Sequence, residues 1–160
     1  MTTTRPAPLF GQSVGEAQRA LRALVDRVFD DAGTSFETWI VLNTLATQGP
    51  AIPEAKLRED LEYGLNADPN TVSTLLDDLR SNGLIRFAAD SDSSDGRQVE
   101  LSSSGAGLHQ QLREAIVSAS NRVTADIDTE ELATTVNVLT AVKARAEALL
   151  DREAALAAER

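Results

Sequence analysis

The chain has 160 residues, 42% of them hydrophobic, and a formal net charge of −10 at pH 7. That is enough apolar material for one core, but the single Trp, single Tyr and four Phe leave Leu, Ala and Val to fill it. The lack of cysteine excludes disulfides, thiol redox sensing and thiolate metal sites and fits a reducing cytoplasm, and no apolar run approaches the roughly 20 residues of a membrane helix.

The opening MTTTRPAPLF lacks the apolar core of a signal peptide and reads as a flexible arm over 1–11. Val14, Ala17, Leu21, Leu24, Val25 and Val28 recur at helical spacing and predict a first helix over about 12–31, ended by Gly33. Thr34-Ser35-Phe36-Glu37 has the form of a capping box, with a hydroxyl at the N-cap and a carboxylate three residues on. The second helix, about 36–47, is apolar on nearly all sides (Phe36, Trp39, Ile40, Val41, Leu42, Leu45, Ala46), as a helix at the centre of a domain is. Gly49-Pro50 breaks it. Pro53 suits the first turn of a short third helix that Gly64 stops. Asp68 as N-cap and Pro69 at the first helical position open a fourth helix over 68–82, with Val72, Leu75, Leu76 and Leu79 as its buried stripe.

Asn82-Gly83 closes that helix. A short apolar strand follows (Leu84, Ile85, Phe87), then a polar Asp/Ser/Gly tip, a second strand (Val99, Leu101) and a Ser-Ser-Ser-Gly helix start. Helix, hairpin and helix in this order read as a winged helix. Leu108, Leu112, Ile116, Ala119 and Val123 mark the fifth helix. Asp128-Thr129-Glu130-Glu131 places acidic residues at the positive end of a sixth, which runs through Leu132, Val136, Leu139, Val142, Ala146, Leu149 and Leu150 towards about 156. The apolar stripes of the first and sixth helices are too long to hide against a middle of only about 50 residues. A two-fold dimer with interleaved terminal helices solves this; a monomer whose terminal helices pack on each other is the alternative.

In order and motifs the chain resembles the MarR family of bacterial winged helix-turn-helix transcriptional regulators, from about residue 12 to about 150. The resemblance rests on Thr71–Ile85 (TVSTLLDDLRSNGLI), on Asp95-Gly96-Arg97, and on Leu101–Leu108 (LSSSGAGL), where Ser102 stands at the usual threonine of Leu-Thr-x-x-Gly-x-x-Leu. It implies a mainly α fold with a small β-hairpin wing: a winged helix-turn-helix DNA-binding region over 34–101, flanked by dimerisation helices over 12–33 and 102–156. It also implies an obligate homodimer on a palindromic operator, with helix 68–82 in the major groove and the wing in the adjacent minor groove. A small-molecule effector is expected in a crevice between the dimerisation and DNA-binding regions.

With the apolar stripe turned inward, Asn70, Thr71, Ser73 and Thr74 face outward with Asp77, near the end of the helix that would meet base edges; an ordinary solvated helix face has the same composition. The resemblance makes Arg97 the wing arginine, suited to a narrow A·T minor groove, and makes Asp95 the acidic partner that orients it. Arg80 and Arg86 are candidates for phosphate contact or for surface pairing with Asp77, Asp78 or Asp90. Phe36 and Trp39 are candidates both for the effector crevice and for the core, and Tyr63 is left open.

Two features shape the functional reading. From Glu54 to Leu101 there are five basic residues against eleven acidic ones, a net −6, whereas DNA binding draws on phosphate neutralisation. The single histidine, His109, reads as a surface or interface residue, and no catalytic Ser-His or Cys-His set, phosphate loop or paired-histidine metal motif is present. The expectation is a cytoplasmic, non-enzymatic, ligand-responsive repressor that needs no cofactor or metal and has no membrane partner. The second reading is an acidic winged-helix dimer that serves as a protein-interaction module with weak or lost DNA binding.

Overall fold

Among the residues that the computed structural model describes, 10–88 and 96–158, the chain forms α1 (Phe10–Asp31), α2 (Phe36–Gln48), β1 (Ile52–Pro53), α3 (Glu54–Leu65), α4 (Pro69–Ser81), β2 (Ile85–Phe87), β3 (Gln98–Leu101), α5 (Ser103–Thr124) and α6 (Thr129–Ala158). They divide into two compact units after Ala119, inside α5. No described helix is long and apolar enough to cross a membrane.

The helix ends follow local chemistry, with three departures from the sequence reading. Gly33, at φ 63°, closes α1, and the Thr34 amide is spent on the Phe29 carbonyl at 3.0 Å. The N-cap of α2 is therefore Ser35 rather than Thr34; its Oγ accepts from the Thr38 amide at 3.2 Å. Pro53 lies before α3, in a two-residue strand that the sequence did not announce, with Ile52 paired to Val99. Gly64 does not stop α3. The helix runs to Leu65, and Asn66 ends it in the left-handed region at φ 48°, where its short amide side chain is tolerated.

The core of the first unit joins Val41, Leu42 and Leu45 of α2, Leu57 and Leu61 of α3, and Val72, Leu76 and Leu79 of α4 to Ile52, Ile85 and Val99 of the sheet. Each such side chain contributes about 1.5–3 kcal/mol on burial. The strands run β1-β3-β2, antiparallel, with Ile85 opposite Leu101 and Phe87 opposite Val99. The apolar positions of the two wing strands thus share one face, and that face closes the core from the wing side.

Where the wing meets α5, the Leu84 carbonyl is crowded from two sides. It accepts from the Ser102 amide at 3.0 Å, and a Cβ on Gly105 would lie 2.0 Å from its oxygen. The Ser102 hydroxyl caps α5, accepting from the Gly105 amide at 3.0 Å while it donates to the Gly83 carbonyl at 2.5 Å. This geometry explains the spacing of serine and glycine in LSSSGAGL: the hydroxyl is the cap, and the glycine is the gap.

The second unit contains the end of α5 and α6. Asp128 caps α6, accepting from the amides of Glu130 and Glu131. No described residue of α6 is buried, and Val136, Leu139, Val142, Leu149, Leu150 and Leu156 are all exposed.

Two glycines on α5 test the junction. Gly105→Ala is expected to lower the unfolding free energy by about 1–3 kcal/mol, the usual range for overpacking. Gly107→Ala, which meets nothing within 4 Å, is expected to raise it by about 0.5–1 kcal/mol through helix propensity. Urea denaturation at one fixed protein concentration measures both, and equal effects at the two sites would contradict the account.

Candidate nucleic-acid interface

Asp68 caps α4, the helix expected from sequence to meet base edges. Its carboxylate accepts from the Thr71 hydroxyl at 2.6 Å and from the amides of Asn70 and Thr71 at 2.9 and 3.1 Å. The Thr71 hydroxyl foremost, then these amides, hold the acid below its ordinary value. The positive end of the helix is therefore already occupied by a negative charge.

The outward polar row is less uniform than its sequence. The Thr71 hydroxyl donates to Asp68 and the Thr74 hydroxyl donates to the Asn70 carbonyl at 3.0 Å. Both hydroxyls turn lone pairs outward, and each must turn its proton round to meet a phosphate. The Asn70 side-chain amide has no hydrogen-bond partner among the described residues and is exposed. Ser73 does not face fully outward. It is half-buried, donates to the Pro69 carbonyl at 2.8 Å and accepts from Arg58 Nη1 at 2.5 Å.

Arg58 leads to a carboxylate that the sequence reading passed over. Glu54, in the first turn of α3, accepts from Arg58 Nε and Nη2 on Oε1 at 3.1 and 2.7 Å. Its Oε2 pairs with Arg97 Nη2 at 2.9 Å. The described partner of the wing arginine is thus Glu54; Asp95, the expected partner, lies outside the described residues, as do Asp90 and Asp92. The Glu54 amide also donates to the Arg97 carbonyl at 2.9 Å, so backbone and side chain bind the same two residues.

One carboxylate between two guanidiniums leaves a local charge of about +1. Arg97 stays 60% exposed while Glu54 is 15% exposed, so the acid is shielded and the base is presented. Burial raises the Glu54 pKa, but the Arg58 hydrogen bond and the charges of Arg97 and Arg58 outweigh it and hold the acid below its usual value.

Phe87 of β2 carries two of the arginines. Arg97 lies 4.5 Å from its ring centroid and Arg80 lies 5.4 Å from it. Arg80 pairs with Asp77 at 3.3 Å, and Arg86 pairs with Glu100 across the wing at 2.7 Å rather than with any acid named from sequence. Both arginines are exposed, and such surface pairs are worth little energetically.

Behind the N-terminal part of α4 lies a crevice of about 760 Å³, walled by Arg22, Ser35, Phe36, Leu75, Asn70 and Thr74 among others. The Arg22 guanidinium covers the Phe36 ring at 3.8 Å and pairs with Asp26. Trp39 is not in this wall. It stacks on His109 at 5.1 Å and 8° between planes, and His109 Nε2 lies 3.3 Å from Asn43 Oδ1. His109 is therefore half-buried against α2; burial first, and Arg113 second, lower its pKa. Tyr63 stands exposed. No group of three or more potential metal ligands occurs among the described residues.

The Glu54 cluster has a definite pH dependence. Its pKa is lower folded than unfolded, so its stabilising contribution is complete above the ordinary value of 4.5 and is lost as pH falls below it. The stability difference between the wild-type chain and Glu54→Gln, measured by urea titration, is expected to shrink below that pH. A difference that stays constant down to about pH 3 would contradict the pairing.

Neither a protein-family model nor a curated protein sequence matches the chain. Solved structures do. The transcriptional regulator PA3341 aligns with a TM-score of 0.71 at 28% identity, over 87% of this chain and 98% of its own. The oxidised form of E. coli MarR aligns at 0.66 and 18%, over 85% and 95%. A mutant E. coli MarR complexed with operator DNA aligns at 0.64 and 19%, over 85% and 99%. The matches cover most of the chain, which with its six helices and small three-stranded sheet has the winged-helix fold of the MarR-family transcriptional regulators.

Proposed function

We propose that this protein is a dimeric, DNA-binding transcriptional regulator of the cytoplasm that reads a palindromic operator, with α4 in the major groove and the wing in the minor groove. The observation that carries the reading is Arg97: an exposed guanidinium on the wing, held by Glu54 on the same side as the recognition helix. A guanidinium presented in this way suits a narrow minor groove. Asn70, with an uncommitted amide, is the best base reader on α4, because asparagine can meet adenine bidentately. Thr71 and Thr74 follow, with Arg80 and Arg86 at the phosphates and Ser73 as a supporting residue.

Dimerisation through the terminal helices accounts for the apolar residues that α1 and α6 each leave exposed: Phe10 and Leu21 on the one, Val136 to Leu156 on the other. The crevice beside Phe36 is the effector site, because its wall includes Asn70 and Thr74 themselves. A ligand that fills it acts on the reading face and makes the protein a ligand-responsive repressor. The net −6 between Glu54 and Leu101 favours a second reading, a module for a basic protein partner.

Binding of the full chain to its own upstream intergenic DNA, at several salt concentrations, separates the two. The proposal expects affinity to fall steeply with salt, and Arg97→Ala to weaken binding about tenfold and to flatten the log–log slope by about one. Binding that is absent, insensitive to salt or indifferent to Arg97 would sink it. Solution mass is expected at twice 17.1 kDa; a stable monomer would refute the role given to the terminal helices.

A further inference from the structure

Glu54 occupies an uncommon position for an acid near a DNA-reading surface. It is nearly covered, yet each of its oxygens serves a different element: Oε1 takes Arg58, which passes the contact to Ser73 of α4, and Oε2 takes Arg97 of the wing. The result is a chain of contacts, Arg97–Glu54–Arg58–Ser73, between the two parts that would enter different grooves. We infer that Glu54 is a positioning residue that sets the wing arginine and the recognition helix as one reading unit, at the cost of one positive charge at the surface.

The argument is geometric. Two guanidiniums on one acid repel each other, and the carboxylate holds both by offering each its own charged oxygen. An amide in its place offers one oxygen, which the two Arg58 contacts retain, and turns N–H donors towards Arg97. Glu54→Gln therefore releases Arg97 and adds one unit of positive charge. These changes act in opposite directions: attraction to any DNA rises, while the aim of the wing arginine is lost. Fold stability alone would not separate them. Asp77 and Glu100 are engaged with Arg80 and Arg86, and neither pairs with Arg97.

The part of this inference that concerns DNA rests on the proposed function, and the experiment has one arm for each. In the first arm, amide chemical shifts of the free full chain are compared across a cycle of wild type, Arg97→Ala, Glu54→Gln and the double variant. Arg97→Ala is expected to move the Arg58 and Ser73 amides with Glu54 present and to leave them unmoved in the Glu54→Gln background. Unmoved amides in the first background, or equal movement in both, would overturn the linkage; should Glu54→Gln not fold, Arg58→Ala takes its place. In the second arm, wild type selects duplexes from a random-sequence pool, and each variant is titrated against the selected duplex and random duplex. Glu54→Gln is expected to bind random DNA more tightly, steepen its salt slope by about one, and lower the preference for the selected duplex about tenfold. In the Arg97→Ala background that loss of preference disappears. An unchanged preference overturns the positioning role. A wild-type chain that selects no sequence overturns the DNA reading, and the first arm then decides the linkage by itself.

Discussion

The carbonyl oxygen of Leu84 is the point at which α4, the wing and α5 are fixed to one another. It receives the Ser102 amide, and the backbone of α5 passes so close that Gly105 has no room for a side chain. Next to it, the Ser102 hydroxyl satisfies an orphan amide of α5 and the Gly83 carbonyl with one oxygen. Gly83 itself, at φ 69°, turns the chain out of α4 into β2. The direction of the wing relative to α4 is therefore set by backbone groups, which leaves Glu54 to aim the Arg97 side chain within that frame.

On this frame the charges are arranged in pairs. Every arginine from Arg58 to Arg97 has an acidic partner, and the helix end at Asp68 is neutralised as well. An acidic winged helix can still present a positive point, because exposure matters more than the sum. Glu54 is covered while Arg97 is not, and screening limits the reach of more distant acids to roughly a Debye length, about 10 Å at moderate salt. In the proposed reading, net charge would govern how strongly the protein is drawn to DNA in general, whereas the placement of Arg97 and Asn70 would govern what it reads.

The crevice beside Phe36 and the row on α4 share residues. Asn70 and Thr74 form part of the crevice wall and part of the surface proposed to face DNA. Effector and operator would then act on the same short segment, and coupling between them would need no long path through the core.

Much of this was legible from residue order. Helical spacing marked the helices and the Val72, Leu75, Leu76 and Leu79 stripe, of which Leu75 is only half-buried, on the crevice wall; alternation marked the wing strands, and LSSSGAGL marked the junction. Arg97 was legible from its place after Asp95-Gly96 in a motif. Glu54 was not, because its meaning lies in Arg97 and Ser73, which are distant in sequence. Nor were the half-burial of Ser73, the strand at Ile52–Pro53 or the Trp39–His109 stack. Periodicity and capping depend on neighbours within a few residues, so the sequence alone determined the elements and their apolar faces. Which oxygen meets which guanidinium depends on how those elements close around the core, and only the tertiary structure decided that.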